Sequence, residues 1–370
     1  MKVSSRAYYN SQEVGLGLGL ADLNIDVDIF IASQNAEVCI SKINSNRQGV
    51  VRVIELPYIR IPEIDHALYP KLKSFLKKGA YSLVQVNEEN DLTSFFVARW
   101  CSNNKIPVIV YQGMYRPISG RIRAAFQSLY NKTLRLWMRN YLSLCAAKTT
   151  HAEKYLRCSG YNNTLVIPVG LDLHPFAVSD PVDWYDKLNI SKNKKIILYV
   201  GVLENRRNIH FILDLAKVFM ARDVVFVIAG DGVIEGELSE RIDKEDIRNT
   251  RLIGKIAQSN LPSLYSQSAV FLLPSDYEIY GMVVLEAMYF GAPVISTKTA
   301  GPVDIIEHGV NGFLVDLDKD GWVKSIDACI SKHDLLDQMS LSAKNKIESH
   351  LTWSKVAHLY RSKIIDKLCT

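Results

Sequence analysis

Residues 275–288 read Ser-Asp-Tyr-Glu-Ile-Tyr-Gly-Met-Val-Val-Leu-Glu-Ala-Met, and an apolar run lies on each side of them. The run before is Val-Phe-Leu-Leu (270–273), and the run after is Pro-Val-Ile-Ser (293–296). Short apolar runs bounded by turn residues are typical of strands that helices cover on both faces. A strand, a helix and a second strand in this order predict a parallel α/β sheet.

Two glutamates flank the start of the predicted helix. Glu278 lies in the loop after the first strand, and Glu286 lies one to two turns into the helix. The free N–H groups of Gly281, Met282 and Val283 at the helix start can hold a phosphate or a hydroxyl, and carboxylates beside them can accept sugar and ribose hydroxyls. This spacing suits a nucleotide sugar. The alternative is that Glu278 caps the helix or pairs with its dipole and that Glu286 is an exposed helix residue, although Glu286 lies in an apolar stretch.

The same alternation of apolar runs and helical segments continues through the whole chain. Strands are predicted at 28–32, 51–55, 83–86, 107–111 and 165–168, and then at 196–200, 224–229, 251–253, 270–273, 293–296 and 313–315. A chain of 370 residues is long enough for two domains. We therefore predict two Rossmann-like, doubly wound parallel-sheet domains, residues 1–172 and 173–351, that face a central cleft at the carboxyl ends of their strands.

The composition excludes several classes of protein. A hydrophobic fraction of 48% with 22% charged residues is typical of a globular chain. The six cysteines are scattered, so we expect reduced thiols and neither a disulfide framework nor a zinc site. The start lacks the apolar region of a signal peptide, and no apolar run approaches the roughly 20 residues that span a bilayer. We expect a cytoplasmic protein, with a peripheral position on the inner face of a membrane left open.

A basic block lies between Asp91 and Glu153, where no acidic residue occurs. If 119–145 is one helix, four cations fall on one stripe at about 100° per residue. These four are Arg121, Lys132, Arg135 and Arg139. The stripe suits an anionic membrane surface, and the alternative is a packed helix with a solvated basic face. Nucleic acid is not expected as a partner, because the block lacks base-stacking motifs.

The stretch from Glu278 to Glu286 resembles the E-x7-E motif of retaining GT-B glycosyltransferases of family 4, the glycosyl transferases group 1 type. Further segments match that family's phosphate loop, strand end, base-framing segment and closing motifs in the family's order. These segments are 199–208, 229–232, 252–255 with 261–265, 301–306 and 309–315. The resemblance covers nearly all of residues 196–316.

The resemblance implies a GT-B enzyme that transfers a hexosyl group, with retention, from a nucleotide-diphosphate sugar to a glycan or lipid-linked acceptor. Surface polysaccharide or glycolipid assembly is the expected setting, without a bound metal or other cofactor. Donor-binding residues would be Gly201, Arg206, Arg207, Gly230, Lys255, Glu278, Tyr280, Gly281, Met282, Val283 and Glu286. The catalytic residues would be Glu278, Arg207 and Gln112.

The phosphate loop departs from the family pattern in one place. The family's arginine is Val202 here, and its lysine aligns with Arg207. One guanidinium can still hold a diphosphate through its two-pronged donor geometry. The sequence leaves Arg206 either as a second cation for the diphosphate or as a side chain that points to solvent.

The acceptor side rests on the first half of the chain. Gln112-Gly113 stands where many family members have histidine and glycine. A glutamine cannot act as a general base, which agrees with a front-face mechanism in which the leaving phosphate takes the acceptor's proton. The alternative for Gln112 is a purely structural hydrogen bond at the strand end. Asn87, Glu88 and Tyr115 are also assigned to the acceptor side, and a solvated loop is the alternative for Glu88 and its neighbour Glu89.

Three further features complete the expectations. Gly15, Gly17 and Gly19 lack a buried strand before them, so we interpret them as glycines that bring the first helix close to the sheet, not as a dinucleotide fingerprint. The resemblance implies that a terminal helix, about 352–370, returns to the N-terminal domain. Asp316 and Asp318 are interpreted as a surface turn. The alternative functions are a nucleotide-sugar epimerase and a catalytically silent subunit of the same fold.

Overall fold

The computed structural model describes residues 11–43, 47–64, 66–116, 120–173, 176, 181–331 and 333–369. The chain divides into two compact units, Met1–Gly170 with Trp353–Thr370, and Leu171–Thr352. The division expected from the sequence placed the boundaries after residues 172 and 351.

The described part of the N-terminal unit contains three sheets. Its strands are β1 (Val27–Ser33), β2 (Cys39–Ile43), β3 (Val51–Pro57), β4 (Ile59–Ile61), β5 (His66–Leu68), β6 (Val84–Asn87), β7 (Val108–Gln112), β8 (Leu144–Ala147) and β9 (Thr164–Val166). Its helices are α1 (Gln12–Ala21), α2 (Leu72–Lys78), α3 (Leu92–Asn103), α4 (Arg121–Lys132), α5 (Leu134–Tyr141), α6 (Thr150–Cys158), α15 (Trp353–Tyr360) and α16 (Asp366–Leu368), with a π-helical turn at Arg361–Ile365.

Both parallel and antiparallel pairings occur in this unit. Strands β6, β7, β8 and β9 form a parallel sheet in that order. Strand β1 is parallel to β3, whereas β2 is antiparallel to β3, and β4 and β5 form an antiparallel hairpin. The five strands predicted in this half are present. The sequence did not predict β2, β4, β5 or β8, and the first three of these strands form the antiparallel pairings.

The C-terminal unit has one six-stranded parallel sheet. Its strands are β10 (Lys195–Val200), β11 (Val224–Ala229), β12 (Thr250–Leu252), β13 (Ser268–Leu273), β14 (Val294–Thr297) and β15 (Gly312–Val315). Its helices are α7 (Trp184–Lys187), α8 (Ile209–Val218), α9 (Glu235–Lys244), α10 (Leu261–Ser266), α11 (Met282–Tyr289), α12 (Ala300–Ile305), α13 (Lys319–Ser331) and α14 (His333–His350), with 3-10 turns at Asn205–Arg207 and Gln258–Asn260. All six predicted strands are present, and every residue of β11 and β13 is buried, as expected for strands covered on both faces.

Glycines let the first helix pack against the last part of the chain. A Cβ atom on Gly15 would lie 2.0 Å from Nε1 of Trp353, and one on Gly19 would lie 2.8 Å from the Trp353 carbonyl oxygen, so both face α15. Gly17 faces the other way, where a Cβ would lie 3.2 Å from Cδ1 of Ile29 in β1. The expectation that these glycines serve contact with the sheet is therefore correct only for Gly17. All three lie inside α1, which excludes a dinucleotide-binding turn.

The cysteines are free thiols, as predicted. Burial raises the pKa of Cys101, Cys145 and Cys329 to about 12, which makes these three thiols unreactive at neutral pH. Among the described residues, no helix combines the length and the apolar character needed to cross a bilayer.

Candidate functional site

The sheet of the C-terminal unit changes direction between β10 and β13. Strand order is β12-β11-β10-β13-β14-β15, so the chain adds strands on one side of β10 and then returns to add β13 on the other side. All these pairings are parallel, which places the carboxyl ends of the strands at one edge. Ligands of open α/β sheets bind at such a reversal point. The loops after β10 and β13 are therefore expected to form the ligand-binding site.

These two loops are joined by hydrogen bonds. Nδ2 of Asn208 donates to the Pro274 carbonyl oxygen (2.9 Å) and to Oδ1 of Asp276 (2.7 Å). The Asp276 amide donates to the Arg206 carbonyl oxygen (2.9 Å). Asn208 has a φ of 54°, a left-handed conformation that asparagine tolerates better than most residues. This geometry ends the 3-10 turn and fixes the direction of the two arginines before it.

Arg207 and Glu278 form an ion pair between the two loops. The side chain of Arg207 is 15% exposed and that of Glu278 is 7% exposed. Nη1 of Arg207 also contacts Oγ of Ser275 (3.4 Å), and its Nε lies 3.6 Å from Glu204. Burial lowers the pKa of Arg207 from its usual value, and the nearby Arg206 cation acts in the same direction. The pair presents a cation and a carboxylate side by side where the sheet reverses.

Arg206 is the more exposed of the two arginines, with 42% of its side chain accessible. Its Nη1 donates to the Tyr277 carbonyl oxygen (2.8 Å), and its Nη2 lies 2.7 Å from Oε1 of Glu204. The side chain therefore runs along the Glu278 loop and is not directed freely into solvent. Both arginines are held at this edge by Glu204, a residue that the sequence analysis did not assign to the site.

Glycines allow the loops after β10 and β11 to interlock. A Cβ atom on Gly230 would lie 1.8 Å from the Gly201 carbonyl oxygen, so a side chain there would force the two loops apart. The Gly230 amide in turn donates to the Gly254 carbonyl oxygen (2.8 Å), in the loop after β12. Lys255 follows Gly254 and is exposed. The structure thus brings three predicted donor-side residues, Gly201, Gly230 and Lys255, to the same edge as Arg207.

Helix α11 begins directly after the Glu278 loop. Gly281 precedes it with a φ of 82°, and no side chain caps the helix, so the interpretation of Glu278 as a capping residue is wrong. Met282 and Val283 form the first turn and are partly exposed. Tyr280 is buried, and its carbonyl oxygen would lie 1.7 Å from a Cβ on Gly301, which requires glycine at that position of α12. The start of α11 is held in a fixed position beside the Arg207–Glu278 pair.

Glu286 lies inside the unit, not on an exposed helix face. It is 2% exposed, and its Oε2 accepts a hydrogen bond from the Tyr265 hydroxyl (3.0 Å). Tyr265 is itself fully buried and stacks on Phe290, with 6.2 Å between ring centroids. The alternative of an exposed Glu286 is therefore wrong. A buried carboxylate needs hydrogen-bond donors, and the Tyr265 hydroxyl supplies one of them.

In the N-terminal unit, the side chain of Gln112 forms hydrogen bonds with two backbone groups. Its Oε1 accepts from the Glu89 amide (2.9 Å), and its Nε2 donates to the Met114 carbonyl oxygen (3.0 Å). Gln112 is 1% exposed at the end of β7. This geometry corresponds to the structural alternative raised for Gln112. Its assignment as a catalytic residue stays a prediction.

Glu88 follows the neighbouring strand β6 and adopts a left-handed φ of 60°. Its Oε1 accepts from the Gly113 amide (3.0 Å), and its Oε2 accepts from the Met114 amide (3.1 Å). Burial raises the pKa of Glu88, against the opposing effects of Lys148 and these amides. A left-handed, non-glycine residue with a displaced pKa at a strand end is the kind of strained position that clusters at functional sites.

Asn87 is the last residue of β6, and Tyr115 lies three residues after the end of β7. Asn87 is exposed and donates through Nδ2 to Oε1 of Glu13 (2.9 Å). Tyr115 makes an edge-to-face contact with His151, at 5.7 Å between ring centroids. The five residues predicted for the acceptor side therefore come from the ends of β6 and β7 and the segments directly after them.

Glu89 is buried in a cluster with Arg135, so the solvated-loop alternative is wrong for Glu89. Glu89 has no solvent-accessible surface, and Arg135 pairs with it. The Tyr155 hydroxyl donates to its Oε1 (3.0 Å) and the Tyr161 hydroxyl to its Oε2 (2.9 Å). Three donors therefore satisfy this carboxylate, which anchors the loop that carries Glu88.

The single basic stripe predicted over 119–145 was wrong. The helix breaks at Thr133, where φ is −125° and ψ is −82°, and α5 starts in a new direction. Arg135 then points inward to Glu89, and Arg139 donates to the Ser159 carbonyl oxygen and lies over the Tyr161 ring. Of the four predicted cations, only Arg121 and Lys132 are exposed. Residues 117–119, at the predicted helix start, lie outside the described residues.

Asp316 and Asp318 form a surface turn, as predicted. Oδ2 of Asp316 lies 2.8 Å from Nζ of Lys298, and Oδ1 of Asp318 accepts from the Gly321 amide (2.7 Å). Within the described part of the chain, no three His, Cys, Asp or Glu side chains gather as metal ligands would.

Four contributors to the donor-side site were not identified from the sequence. They are Glu204, Ser275, Asn208 and Tyr265, which respectively hold the arginines, contact Arg207, join the loops and bind Glu286. Asn208 carried a signal, because an asparagine at the end of a turn suits a left-handed conformation. Glu204 pairs with arginines only two and three positions away. Ser275 and Tyr265 act through contacts across 68 and 21 positions of the chain, which no local pattern reveals.

Residues 183–346 match the family model described as glycosyl transferases group 1. The chain is 27% identical over 244 residues to an uncharacterized glycosyltransferase of Methanocaldococcus jannaschii, covering 57% of this chain and 62% of that protein. It is also 27% identical over 264 residues to the Escherichia coli UDP-Gal:alpha-D-GlcNAc-diphosphoundecaprenol alpha-1,3-galactosyltransferase, covering 66% of this chain and 68% of that enzyme. The matched region thus spans about two thirds of these two relatives.

A likeness to a solved structure extends over both units. The sucrose-phosphate synthase of Thermosynechococcus elongatus matches with a TM-score of 0.73 at 19% sequence identity, covering 95% of this chain and 91% of that one. At this identity the likeness concerns the fold alone. It confirms the predicted GT-B fold class.

Proposed function

We propose that the chain transfers a hexosyl group from a nucleotide-diphosphate sugar to a glycan or lipid-linked acceptor, since residues 183–346 match the family model described as glycosyl transferases group 1. The observation that carries the proposal is the Arg207–Glu278 pair at the reversal point of the C-terminal sheet. One loop supplies a cation for a diphosphate, and the other supplies a carboxylate for sugar hydroxyls.

On the donor side, each charge has one task. Arg207, with Arg206 beside it, binds the diphosphate and neutralises the charge that develops on it as the sugar leaves. The amides that start α11 add to this stabilisation, because preorganised donors in a shielded site act strongly on developing charge. Glu278 accepts hydroxyls of the donor sugar. Glu286, held by Tyr265, accepts hydroxyls of the ribose.

We propose that transfer retains the anomeric configuration and needs no metal ion. The leaving diphosphate takes the acceptor's proton, so the reaction does not require a histidine at position 112, where Gln112 already binds two backbone groups. The guanidinium of Arg207 supplies the positive charge that a divalent cation supplies in other phosphate sites. The name of the E. coli relative supports a UDP-hexose as donor and a diphospholipid-linked sugar as acceptor, as in surface polysaccharide assembly.

The proposal is tested by screening UDP-, GDP- and ADP-sugars for thermal stabilisation of the full chain. A donor at 100 times its Kd adds about 2.7 kcal/mol to the free energy of unfolding. The donor that stabilises is then incubated with lipid phosphate acceptors, with and without EDTA, and the product's anomeric centre is read by NMR. Transfer with retention in EDTA supports sugar transfer, retention of the anomeric configuration and independence of a metal ion. Interconversion of the donor alone identifies an epimerase, and binding without turnover identifies a silent subunit.

On the acceptor side, we propose that the Glu88 carboxylate accepts the hydroxyl that receives the sugar. Glu88→Gln is expected to raise the acceptor KM about tenfold, because a hydrogen bond to a charged acceptor becomes a neutral one. Since burial raises the pKa of Glu88, the wild type should lose acceptor binding as pH falls through a range above that of an ordinary glutamate. In the variant this acid limb should be absent. Identical pH profiles of kcat/KM for wild type and variant would contradict the assignment.

We further propose that α4 and α5 rest on an anionic membrane surface. Four apolar side chains there are at least half exposed: Ile122, Leu129, Leu136 and Trp137, which we call the α4–α5 ridge. Ile122 and Leu129 are seven residues apart and share a helix face, and the exposed cations Arg121 and Lys132 adjoin it. Apolar side chains flanked by cations are typical of helices that lie in the interface of anionic bilayers.

Vesicle flotation tests the α4–α5 ridge. The wild type should float with phosphatidylglycerol vesicles more than with phosphatidylcholine vesicles, and less at high salt. Leu129→Ser with Trp137→Ser should weaken binding at least about tenfold through lost apolar burial. Val233→Ser, at an 89% exposed apolar residue of the other unit, is the matched control. Equal flotation of the double variant and the control would sink the idea.

A further inference from the structure

A groove of about 520 Å³ lies in the N-terminal unit between α2, α3 and the β4–β5 hairpin. We call it the α2–α3 groove. Its volume is in the range of about 300–1,000 Å³ that is typical of ligand pockets. Ile59 and Phe96 line it and are more than half exposed, so apolar surface that could be covered is left open. None of the residues assigned above to the donor or acceptor side lines this groove.

One end of the α2–α3 groove lies at the edge of the sheet that carries Glu88. Helix α3 begins at Leu92, directly after the loop that leaves β6, and Thr93 in its first turn lines the groove. Nδ1 of His66 lies 2.9 Å from Oδ2 of Asp91, which joins the β4–β5 hairpin to this end of α3. From Thr93 to Asn103 the lining follows α3 for ten residues, or about 15 Å. The groove therefore leads from the acceptor edge along the length of the helix.

The lining of the α2–α3 groove is positively charged. Lys73 and Arg99 both line the groove and are exposed, and neither pairs with a carboxylate among the residues that the structure describes. No acidic side chain is among the described lining residues. An apolar channel with two free cations and no anion is complementary to an anionic amphiphile, that is, a hydrocarbon chain that carries a phosphate.

We propose that the α2–α3 groove holds the apolar chain of a lipid-linked acceptor, with its phosphate paired to Lys73 and Arg99. This inference rests on the proposed transferase function, and it identifies the acceptor of that reaction as a lipid phosphate. The chain lies along Phe96 and Trp100 of α3, while the acceptor sugar reaches the Glu88 edge. Recognition of the lipid is then separate from recognition of the sugar, and affinity grows with chain length as more apolar surface is covered.

Binding of dodecyl phosphate to the full-length protein, measured by calorimetry below its critical micelle concentration, tests the groove directly. Butyl phosphate and inorganic phosphate are the short-chain and chain-free comparators. We expect dodecyl phosphate to bind at least about tenfold more tightly than butyl phosphate. Phe96→Ser and Arg99→Glu should each weaken dodecyl phosphate binding about tenfold. Lys77 is an exposed cation of α2, the helix that carries Lys73, and it does not line the groove. Lys77→Glu should therefore leave the affinity for dodecyl phosphate unchanged.

Three results from the binding and sedimentation experiments would overturn the proposal. They are absent dodecyl phosphate binding, equal affinity of wild type and Phe96→Ser, and a concentration-dependent dimer in sedimentation that Phe96→Ser abolishes, which would assign the groove to a second copy of the chain. Transfer provides the link to acceptors: wild type should show a KM at least about tenfold lower for a dodecyl- than for a butyl-phosphate-linked sugar, and Phe96→Ser should remove the difference. Equal KM values would also overturn it.

The two proposals fail in different ways. If the chain is not a transferase, no sugar is transferred to either acceptor, whether or not a nucleotide sugar stabilises the chain, yet groove variants still change dodecyl phosphate affinity. If the groove assignment is wrong, donor binding and transfer persist, and the groove variants change neither alkyl phosphate affinity nor the dependence of KM on chain length.

Discussion

Replacing Arg207 by alanine is expected to lower kcat for sugar transfer by about 10³-fold or more, the effect that an arginine has when it neutralises charge on a transferring phosphate group. Arg207 is the buried cation of the donor-side site, and its guanidinium pairs with Glu278. Arg207→Lys should recover only part of the activity, because an ammonium keeps the charge but cannot bind two phosphate oxygens in a fork.

Because Arg207 pairs with Glu278, Arg207→Ala changes both activity and stability. A double variant separates these two effects. Removing Arg207 alone leaves the Glu278 carboxylate without its cation at a 7% exposed position, which costs about 3–5 kcal/mol when a buried pair is broken. Arg207→Ala with Glu278→Ala removes both charges and should recover much of the lost melting temperature while staying inactive. Measured kcat and Tm for all three variants separate the two effects. A folded double variant with nearly normal kcat would refute the donor-side assignment.

Replacing Glu286 is expected to have the second-largest effect, a loss of about 100-fold in donor affinity, since two hydrogen bonds from ribose hydroxyls to a charged group disappear. Glu286→Gln is the informative change because it keeps the side-chain volume at a 2% exposed position, whereas Glu286→Ala also leaves a cavity. Donor Kd from calorimetry and Tm should be measured on the same samples.

Tyr265→Phe provides the matched control for Glu286. It removes the hydroxyl that donates to Glu286 (3.0 Å) and leaves the carboxylate in place. If Glu286 binds ribose, Tyr265→Phe should lower stability by about 1 kcal/mol and change donor affinity much less than Glu286→Gln does. If both variants reduce Tm and neither changes donor Kd, Glu286 is a structural residue of the buried cluster.

The sequence identified much of the C-terminal unit because the necessary signals are local. Six apolar runs mark the six strands, and the motif from Glu278 to Glu286 spans one loop and one helix. The family alignment favoured Arg207 over Arg206 as the catalytic residue, but no local pattern in the sequence separates the two arginines. Both are adjacent in the chain, and what separates them is burial against Glu278, which lies 71 residues from Arg207.

The N-terminal unit was predicted less well, for reasons that individual residues make clear. Glu89 next to Glu88 resembles a solvated pair, but its partners Arg135, Tyr155 and Tyr161 are 46, 66 and 72 residues away. The prediction of the basic stripe was wrong at Thr133. The pattern of charges continues through this residue, but the helix ends there. Periodicity reports which side chains would share a face if the backbone is regular, and it does not report where the backbone stops being regular.

The packing of α15 against Gly15 and Gly19 has a consequence for the order in which the chain acquires its structure on the ribosome. The partner of α1 begins at Trp353, so the first unit cannot be completed until the whole second unit, Leu171–Thr352, has been synthesised. At roughly 5–20 residues per second that delay is on the order of 10 to 40 s. The second unit is continuous in the chain, and it is therefore the first to have all its own residues available, although its synthesis begins later.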